Sequence, residues 1–325
     1  MNPRLGLLLA FALILFVPAC SSDKSASGKR VIAVIPKGTT HEFWKSIHAG
    51  AKVAADELGV EIIWKGPLRE DDRNEQIKVV ENFNMRRVDG IVLAPLDETA
   101  LVKVCQESRD LGIPVVIVDS SLKWDGMASF IATDNYQGGV LAGREMGRLL
   151  DGKGKLVMMR YVEGSASTDK RENGFLETIT AEFPDIEVLS SNQYSGATTE
   201  GGYSTSEALL AAHPDVEGVF ASNEPGASGM LGALKDSGRA GKIHFVGFDA
   251  SERLNKGLRD GHISALIIQD PVRMGELGVR SIVDFLDGKK VEAHIDTGCV
   301  VVTPENVDNP EIQALLSPDL SVLDD

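Results

Sequence analysis

Apolar, β-branched runs alternate along the chain with segments whose apolar residues recur at helical spacing, and the series occurs twice. In the first half the runs cover residues 31–35, 61–64, 91–94, 115–118 and 130–132. After Gly154 the series restarts, with runs at 156–160, 187–189, 216–221, 243–247 and 265–268. A repeated strand–helix alternation predicts parallel sheets covered by helices. The expected fold class is therefore α/β, with two doubly wound parallel-sheet lobes.

The segments between the runs supply helices and a boundary between the lobes. Ile47, Ala51 and Ala54 lie on one predicted helix face that ends at Gly59. We expect one lobe from residues 30–133 plus about 270–297, and the other from 134–269 plus about 298–315. A proline-led helix is predicted at 271–286 and a strand at 299–303, both in a region that crosses back between the lobes. The acidic tail 308–325 is expected to wrap the surface.

The amino terminus has the pattern of an export signal. Arg4 precedes an apolar run over residues 5–17, and small residues lead to Cys20. The segment resembles a bacterial lipoprotein signal, so we expect a signal peptide at 1–19, lipidation of Cys20 and a flexible tether over 20–29. Ordinary cleavage near Ala19 would instead leave a soluble protein. A membrane span is less favoured because the run falls short of ~20 apolar residues.

Composition excludes several classes of function. A formal net charge of -15 disfavours nucleic acid as a partner, and no helix-turn-helix segment precedes the first strand. No Cys/His cluster predicts a metal, and no glycine-rich phosphate loop follows a strand, so we expect neither metal nor cofactor. Cys105 and Cys299 are predicted to be buried free thiols, with a disulfide between them as the alternative.

Enzyme motifs are present only in incomplete form. The segment 226–230 resembles a nucleophile elbow but has Met230 in place of the last glycine. The segment 41–45 starts like a zinc-binding helix but has Lys45 in place of the second histidine. Asp119 and Asp249 could form a paired-carboxylate glycosidase site. That hydrolase remains a disfavoured alternative, and we predict that the protein is not an enzyme.

Polar residues follow nearly every predicted strand, at the edge where open parallel sheets bind ligands. Residues of this kind are Lys37, His41, Asp119, Arg171, Asn223, Asp249 and Gln269. Phe43 and Trp44 open the first helix, and at least one is expected to face the crevice, where an aromatic ring suits the C–H face of a sugar. Each polar residue alone could equally be a helix cap or a turn residue.

With these residues the chain resembles the ribose-binding type of bacterial sugar-binding proteins that serve ABC transporters. The resemblance covers residues 31–303 and includes Thr133-Asp134-Asn135, Val246-Gly247-Phe248-Asp249 and Gln269 before Pro271. It implies two lobes joined by three crossings, a sugar or polyol bound between them, and a membrane permease that receives it. It also implies ligand contacts from Phe43, Trp44, Asp119, Asn223, Asp249 and Gln269.

Departures from the family pattern leave the ligand open. An asparagine of the first loop aligns with His41, and an arginine of the second lobe aligns with Asp169, for which Arg171 could substitute. Lys37 and His41 could favour an acidic ligand, although an exposed lysine and a capping histidine are commoner. We expect a monomeric protein, periplasmic or at the cell surface and anchored through Cys20. Presentation of the sugar to a sensor kinase or chemoreceptor is the alternative to transport.

Overall fold

A computed structural model describes residues 28–324; the predicted signal peptide, Cys20 and most of the predicted tether lie outside the described residues. The strands are β1 (Val31–Ile35), β2 (Glu61–Trp64), β3 (Gly90–Leu93), β4 (Val115–Val118), β5 (Ser129–Ala132), β6 (Lys153–Arg160), β7 (Asp185–Tyr194), β8 (Gly218–Ala221), β9 (His244–Phe248), β10 (Ala265–Gln269), β11 (His294–Asp296) and β12 (Cys299–Val302). The helices are α1 (Glu42–Leu58), α2 (Arg73–Arg86), α3 (Val102–Asp110), α4 (Asn135–Leu149), α5 (Ala166–Glu182), α6 (Thr199–Ala212), α7 (Glu224–Asp236), α8 (Glu252–Arg259), α9 (Pro271–Leu286) and α10 (Pro310–Leu316). None of these helices is both long enough and apolar enough to cross a bilayer.

The strands form two six-stranded sheets of matching order. The first sheet runs β11-β5-β4-β3-β1-β2 and the second runs β12-β10-β9-β8-β6-β7. All pairs are parallel except β12, which runs antiparallel to β10 with Cys299 opposite Gln269. The predicted class of two doubly wound α/β lobes is therefore confirmed. The sixth strand of each sheet comes from the segment after α9, where only β12 was predicted.

Three chain crossings join the two sheets. They lie between β5 and α4, between β10 and α9, and between β11 and β12. Each of the first two crossings leads into a helix that packs in the lobe it enters, α4 against α5 and α9 against α1. Short crossings that all lie side by side allow two rigid lobes to rotate about them.

Local sequence explains where the elements end. Alternating faces of each sheet bury apolar residues, and Ile47, Ala51 and Ala54 of α1 are buried as predicted. Gly59 ends α1 in the left-handed conformation, with φ 66°, and its N–H bonds to the carbonyl of Ala55. That conformation is readily accessible only to glycine, which is why the helix stops there.

The carboxyl-terminal segment follows the surface as predicted, but part of it is helical and is anchored in the second lobe. It forms α10, and Val307 and Leu316 are buried in the core of the second lobe. Asn255 Nδ2 donates to the carbonyl oxygen of Leu316 at 2.7 Å. A short 3-10 turn at Ser321–Leu323 then packs against α1 of the first lobe. Apolar residues at helical spacing within the acidic segment account for this anchoring.

The two cysteines of the described chain are free thiols. Cys105 is buried, and burial raises its pKa to about 12. Cys299 is only half-buried because β12 is an edge strand, and burial raises its pKa to about 11. The prediction of free thiols is confirmed, but full burial holds only for Cys105.

Candidate functional site

Loops at the carboxyl ends of strands from both lobes line one cavity between the sheets. The lining residues are Lys37, His41, Phe43, Trp44, Glu70, Asp119, Tyr161, Ser167, Thr168, Arg171, Asn223, Glu224, Pro225, Asp249 and Gln269. Nine of the ten residues predicted to bind ligand belong to this set. Asp169 does not.

Two aspartates occupy equivalent places in the lobes. Asp119 follows β4 and Asp249 follows β9, and both have left-handed backbones, with φ 62° and 70°. Their N–H groups donate to Ile131 and Ile267 on the neighbouring strands, at 3.0 and 2.9 Å. Left-handed backbone is costly for residues other than glycine and is concentrated at functional positions. The shared geometry brings both carboxylates to the cavity.

Asp119 is paired with a buried lysine. Lys37 Nζ lies 2.9 Å from Asp119 Oδ2 and donates to Ser167 Oγ of the other lobe at 3.1 Å. Lys37 is buried rather than exposed. Its charge is therefore matched within the protein, and it also links the two lobes.

Arg171 is fixed by more contacts than Lys37. Its Nε donates to Asn135 Oδ1 at 2.8 Å, its Nη1 donates to the carbonyl of Ser222 at 3.0 Å, and its guanidinium carbon lies 3.9 Å from the centre of the Phe248 ring. Nη1 is also 3.8 Å from Asp249 Oδ2. A planar cation fixed on three sides presents its remaining donors in one direction.

Asp169 lies outside the cavity for a geometric reason. Residues two apart on a helix are separated by about 200° around its axis. On α5, the face that turns Arg171 inward therefore turns Asp169 away, and Asp169 is only half-buried. Burial nonetheless raises the pKa of its carboxyl. Arg171 thus takes the place in the cavity that sequence alignment gave to Asp169.

Both predicted aromatics line the cavity. Phe43 and Trp44 meet edge to face, with ring centres 5.0 Å apart and planes at 87°. Trp44 Nε1 donates to Glu70 Oε1 at 2.6 Å, which fixes the indole. The same two rings also contact the core of the first lobe. They are thus both core residues and cavity residues.

Sequence reasoning missed Glu70 and Tyr161. Tyr161 OH donates to Glu70 Oε2 at 2.7 Å and joins the second lobe to the first. Tyr161 directly follows β6, so the strand-end rule could have found it. Glu70 lies in the middle of the loop between β2 and α2, where no pattern marks it.

Glu224 was also missed as a cavity residue, although Asn223 beside it was predicted. Asn223 caps α7 by accepting from the N–H of Gly226 at 3.3 Å, and it lines the cavity as well. Glu224 Oε2 accepts from the N–H of Phe43 at 3.1 Å, and Glu224 Oε1 lies 3.9 Å from His41 Nδ1. Burial raises the pKa of Glu224 to about 8. Burial likewise raises the pKa of Asp249, an effect that Arg171 partly opposes.

Comparison with known proteins gives the lineage of this architecture. The family model described as a periplasmic binding protein domain matches residues 32–290 of this chain. The chain belongs to the periplasmic binding protein family. This confirms the resemblance drawn from the sequence, and the family consists of binding proteins of ABC importers rather than enzymes. Members of the family are the periplasmic components of those importers.

Relatives within the family are named for sugars. The chain is 30% identical over 272 residues to the ribose import binding protein of Salmonella typhimurium, covering 83% of this chain and 89% of the relative. It is 28% identical over 297 residues to the D-ribose/D-allose-binding protein of Pseudomonas aeruginosa, covering 89% and 92%. A solute-binding protein from Agrobacterium vitis with bound D-fucose superposes with a TM-score of 0.86 at 37% identity, covering 88% of this chain and 100% of that one. One from Agrobacterium radiobacter with D-arabinose gives a TM-score of 0.86 at 32% identity, covering 89% and 99%.

Proposed function

We propose that the protein captures a sugar or related polyol between its lobes and delivers it to the permease of an ABC importer. The observation that carries this proposal is the cavity itself. Two strand-end aspartates, one from each lobe, enter it beside Phe43 and Trp44. Carboxylates accept hydrogen bonds from hydroxyl groups, and aromatic faces pack on C–H groups. Sugar-binding relatives of the same fold support the same reading.

Capture requires the lobes to move. Across the cavity, Tyr161 donates a hydrogen bond to Glu70, and Lys37 donates one to Ser167. The residues around these four are buried. A sugar can reach buried groups only if these cross-lobe contacts open and reform around it. Closure then hides the hydroxyls from water, so each buried polar group must find a partner. The closed form is the one a permease would recognise.

The proposal includes the place of the protein in the cell. A diacylglycerol group on Cys20 and a tether over residues 20–29 would hold a monomer beside its permease. Mass spectrometry of the mature amino terminus tests the anchor, and light scattering during gel filtration tests the monomer. A sensor kinase or chemoreceptor as the recipient remains the second candidate; neighbouring genes that encode a permease and an ATPase would favour transport.

The binding role is tested with Asp249→Ala. We expect at least a tenfold (~1.4 kcal/mol) loss of affinity for the sugar, because ligand hydroxyls lose a buried acceptor. The sugar is first found by thermal-shift screening of pentoses, hexoses and polyols, since a ligand of the folded state raises the melting temperature. Asp185→Ala, at an exposed strand end, is the matched control. Unchanged affinity would remove Asp249 from the site, and a screen in which no sugar binds would overturn the proposal.

A further inference from the structure

The cavity contains more acidic than basic side chains. Its buried charged residues are Lys37, Glu70, Asp119, Arg171, Glu224 and Asp249. Four of these are carboxylic acids and two are basic residues. Buried charges are costly unless they are paired, so the surplus calls for a partner.

The two cations are already matched by the two aspartates. Lys37 pairs with Asp119 at 2.9 Å, and Arg171 approaches Asp249 at 3.8 Å. Within residues 28–324, the ion-pair contact of both Glu70 and Glu224 is His41, an imidazole that is charged only when protonated. The surplus of acidic groups is therefore located on the two glutamates.

Glu70 and Glu224, from opposite lobes, contact different ring nitrogens of His41. Glu70 Oε1 lies 3.4 Å from His41 Nε2, and Glu224 Oε1 lies 3.9 Å from His41 Nδ1. Both oxygens of Glu70 accept hydrogen bonds, Oε1 from Trp44 and Oε2 from Tyr161. Glu224, in contrast, has only Oε2 held, by the N–H of Phe43. Among the described residues, Glu224 Oε1 accepts no hydrogen bond, so one acceptor of the pair remains open to a ligand.

A second acceptor without a partner lies on the same cavity. Gln269 is 2% exposed; its Nε2 donates to Asp249 Oδ1 at 2.7 Å, whereas its Oε1 has no hydrogen-bond partner in the described chain. The cavity thus requires hydrogen-bond donors from a ligand more than it requires acceptors. A hydroxyl group brings one donor and two acceptor sites, whereas an ammonium group brings three donors and no acceptor.

We infer that the ligand is a sugar that carries a protonated amine, and that Glu224 binds this amine, with Glu70 as a second acidic group nearby. The inference rests on the proposed function and narrows its ligand class to amino sugars. An ammonium group supplies the positive charge that the glutamates lack and the donors that the open oxygens require. A sugar acid would add a further negative charge to the same place, so the acidic ligand considered from Lys37 and His41 is disfavoured.

Burial of Glu224 agrees with this assignment. Its pKa is raised to about 8, first by burial and then by the charges of Asp249, Glu42 and Glu70. The carboxylate form is thus destabilised in the absence of a cation. A neighbouring ammonium group favours that form and makes the ion pair charge-assisted.

The test compares matched sugars by calorimetry at pH 7. Galactosamine, glucosamine and mannosamine are each measured against the parent hexose and the N-acetyl derivative, which lacks the charge. We expect at least one amine to bind tenfold or more tightly than both of its neutral counterparts. Amines that bind no tighter than bound parent sugars would overturn the inference and leave sugar binding intact. Binding of no sugar at all would overturn the proposed function as well.

Charge-removing variants assign the residues. Glu224→Gln and Glu70→Gln keep the side-chain shape, and each should reduce the preference for the amine to less than about threefold. Glu163→Gln removes the same charge from an exposed position and should keep the preference. Melting curves verify that each variant is folded. A tenfold preference that persists in both cavity variants would overturn the assignment.

Discussion

The two lobes share one framework but bring different chemistry to the cavity. In each lobe the helix that follows the amino-terminal strand (β1 or β6) packs against a helix that directly follows a crossing, α1 against α9 and α5 against α4. Glycines allow this approach in both places: a Cβ on Gly50 would lie 1.9 Å from the carbonyl oxygen of Val272, and one on Gly139 would lie 2.0 Å from that of Arg171. The shared framework is thus a backbone-to-backbone helix contact.

The difference lies at the amino-terminal ends of α1 and α5. Helix α1 brings the aromatic pair Phe43 and Trp44, whereas α5 brings Ser167, Thr168 and Arg171. One lobe therefore offers an apolar platform and the other a set of donors. A duplicated fold does not impose duplicated chemistry; the first turn of one helix is enough to set what each half of the cavity binds.

The strongest test of the shared framework is a methyl group at each helix contact. We expect Gly50→Ala and Gly139→Ala each to lower the free energy of unfolding by about 2–3 kcal/mol, because a backbone carbonyl cannot move aside without separating the helices. Chemical unfolding measures the loss. Gln137→Ala, at an exposed position on α4, should change stability by less than ~0.5 kcal/mol.

The same two variants also distinguish the contributions of the two lobes to sugar affinity. Gly139→Ala displaces the backbone of Arg171 itself and should lower sugar affinity about tenfold, whereas Gly50→Ala displaces α9 and should lower it less. Equal losses of affinity would show that the two helix contacts position the cavity equally and would contradict this prediction.

A smaller effect is expected from pH, and it originates in the second lobe. Burial raises the pKa of Glu172 to about 7 and that of Glu224 to about 8. Both groups hold a proton in the folded protein at pH values where the unfolded chain has lost it. Their contribution to stability is therefore complete below about pH 4.5 and is lost as pH rises through 7 to 8.

Urea unfolding between pH 5 and 8 measures this loss. Glu224→Gln should reduce the decline by ~1 kcal/mol, a modest value because opening of the lobes hydrates the carboxyl group. His48, whose pKa burial lowers, contributes a slope of opposite sign in both proteins, so the difference isolates Glu224. The exposed Glu182, whose pKa Arg144 lowers, provides the control variant Glu182→Gln. Identical slopes in wild type and Glu224→Gln would contradict the prediction.

The sequence predicted most of the framework and only part of the cavity. Strands β1, β2 and β4 and helix α9 have the predicted bounds because each is a β-branched run, or begins at a proline and ends beside a glycine. The three residues of β11 are too few to show a period. Strand-end positions located both aspartates, since parallel strands bring their carboxyl ends to one edge.

The remaining cavity residues depend on information that no local pattern carries. Glu70 reaches the cavity through the path of a loop, and its contact with Tyr161 exists only because two lobes close. Asp169 and Arg171 differ in the face of α5 on which they lie, and an alignment that is shifted by one residue hides that difference. Contacts between separate lobes are thus the part of a binding site that sequence reasoning loses first.

The smallest expected effect comes from one cross-lobe hydrogen bond. Tyr161→Phe removes the donor to Glu70 and should weaken binding of a neutral sugar about threefold to fivefold (~1 kcal/mol), because closure gains one bond less. Calorimetry measures the change. Tyr203→Phe is the matched control, since its hydroxyl donates to Glu207 and Asp236 within the second lobe alone.

The variants of Tyr161 and Tyr203 distinguish an effect on lobe closure from an effect on the stability of one lobe. If Tyr161 acts by joining the lobes, its variant should lose affinity without a comparable loss in the free energy of unfolding, and Tyr203→Phe should show the reverse. A Tyr161→Phe protein that binds as tightly as wild type would mean that Glu70 is held by Trp44 and His41 alone. The first lobe would then position Glu70 without help from Tyr161, and closure would depend on other ties between the lobes, including those made by Lys37 and Glu224.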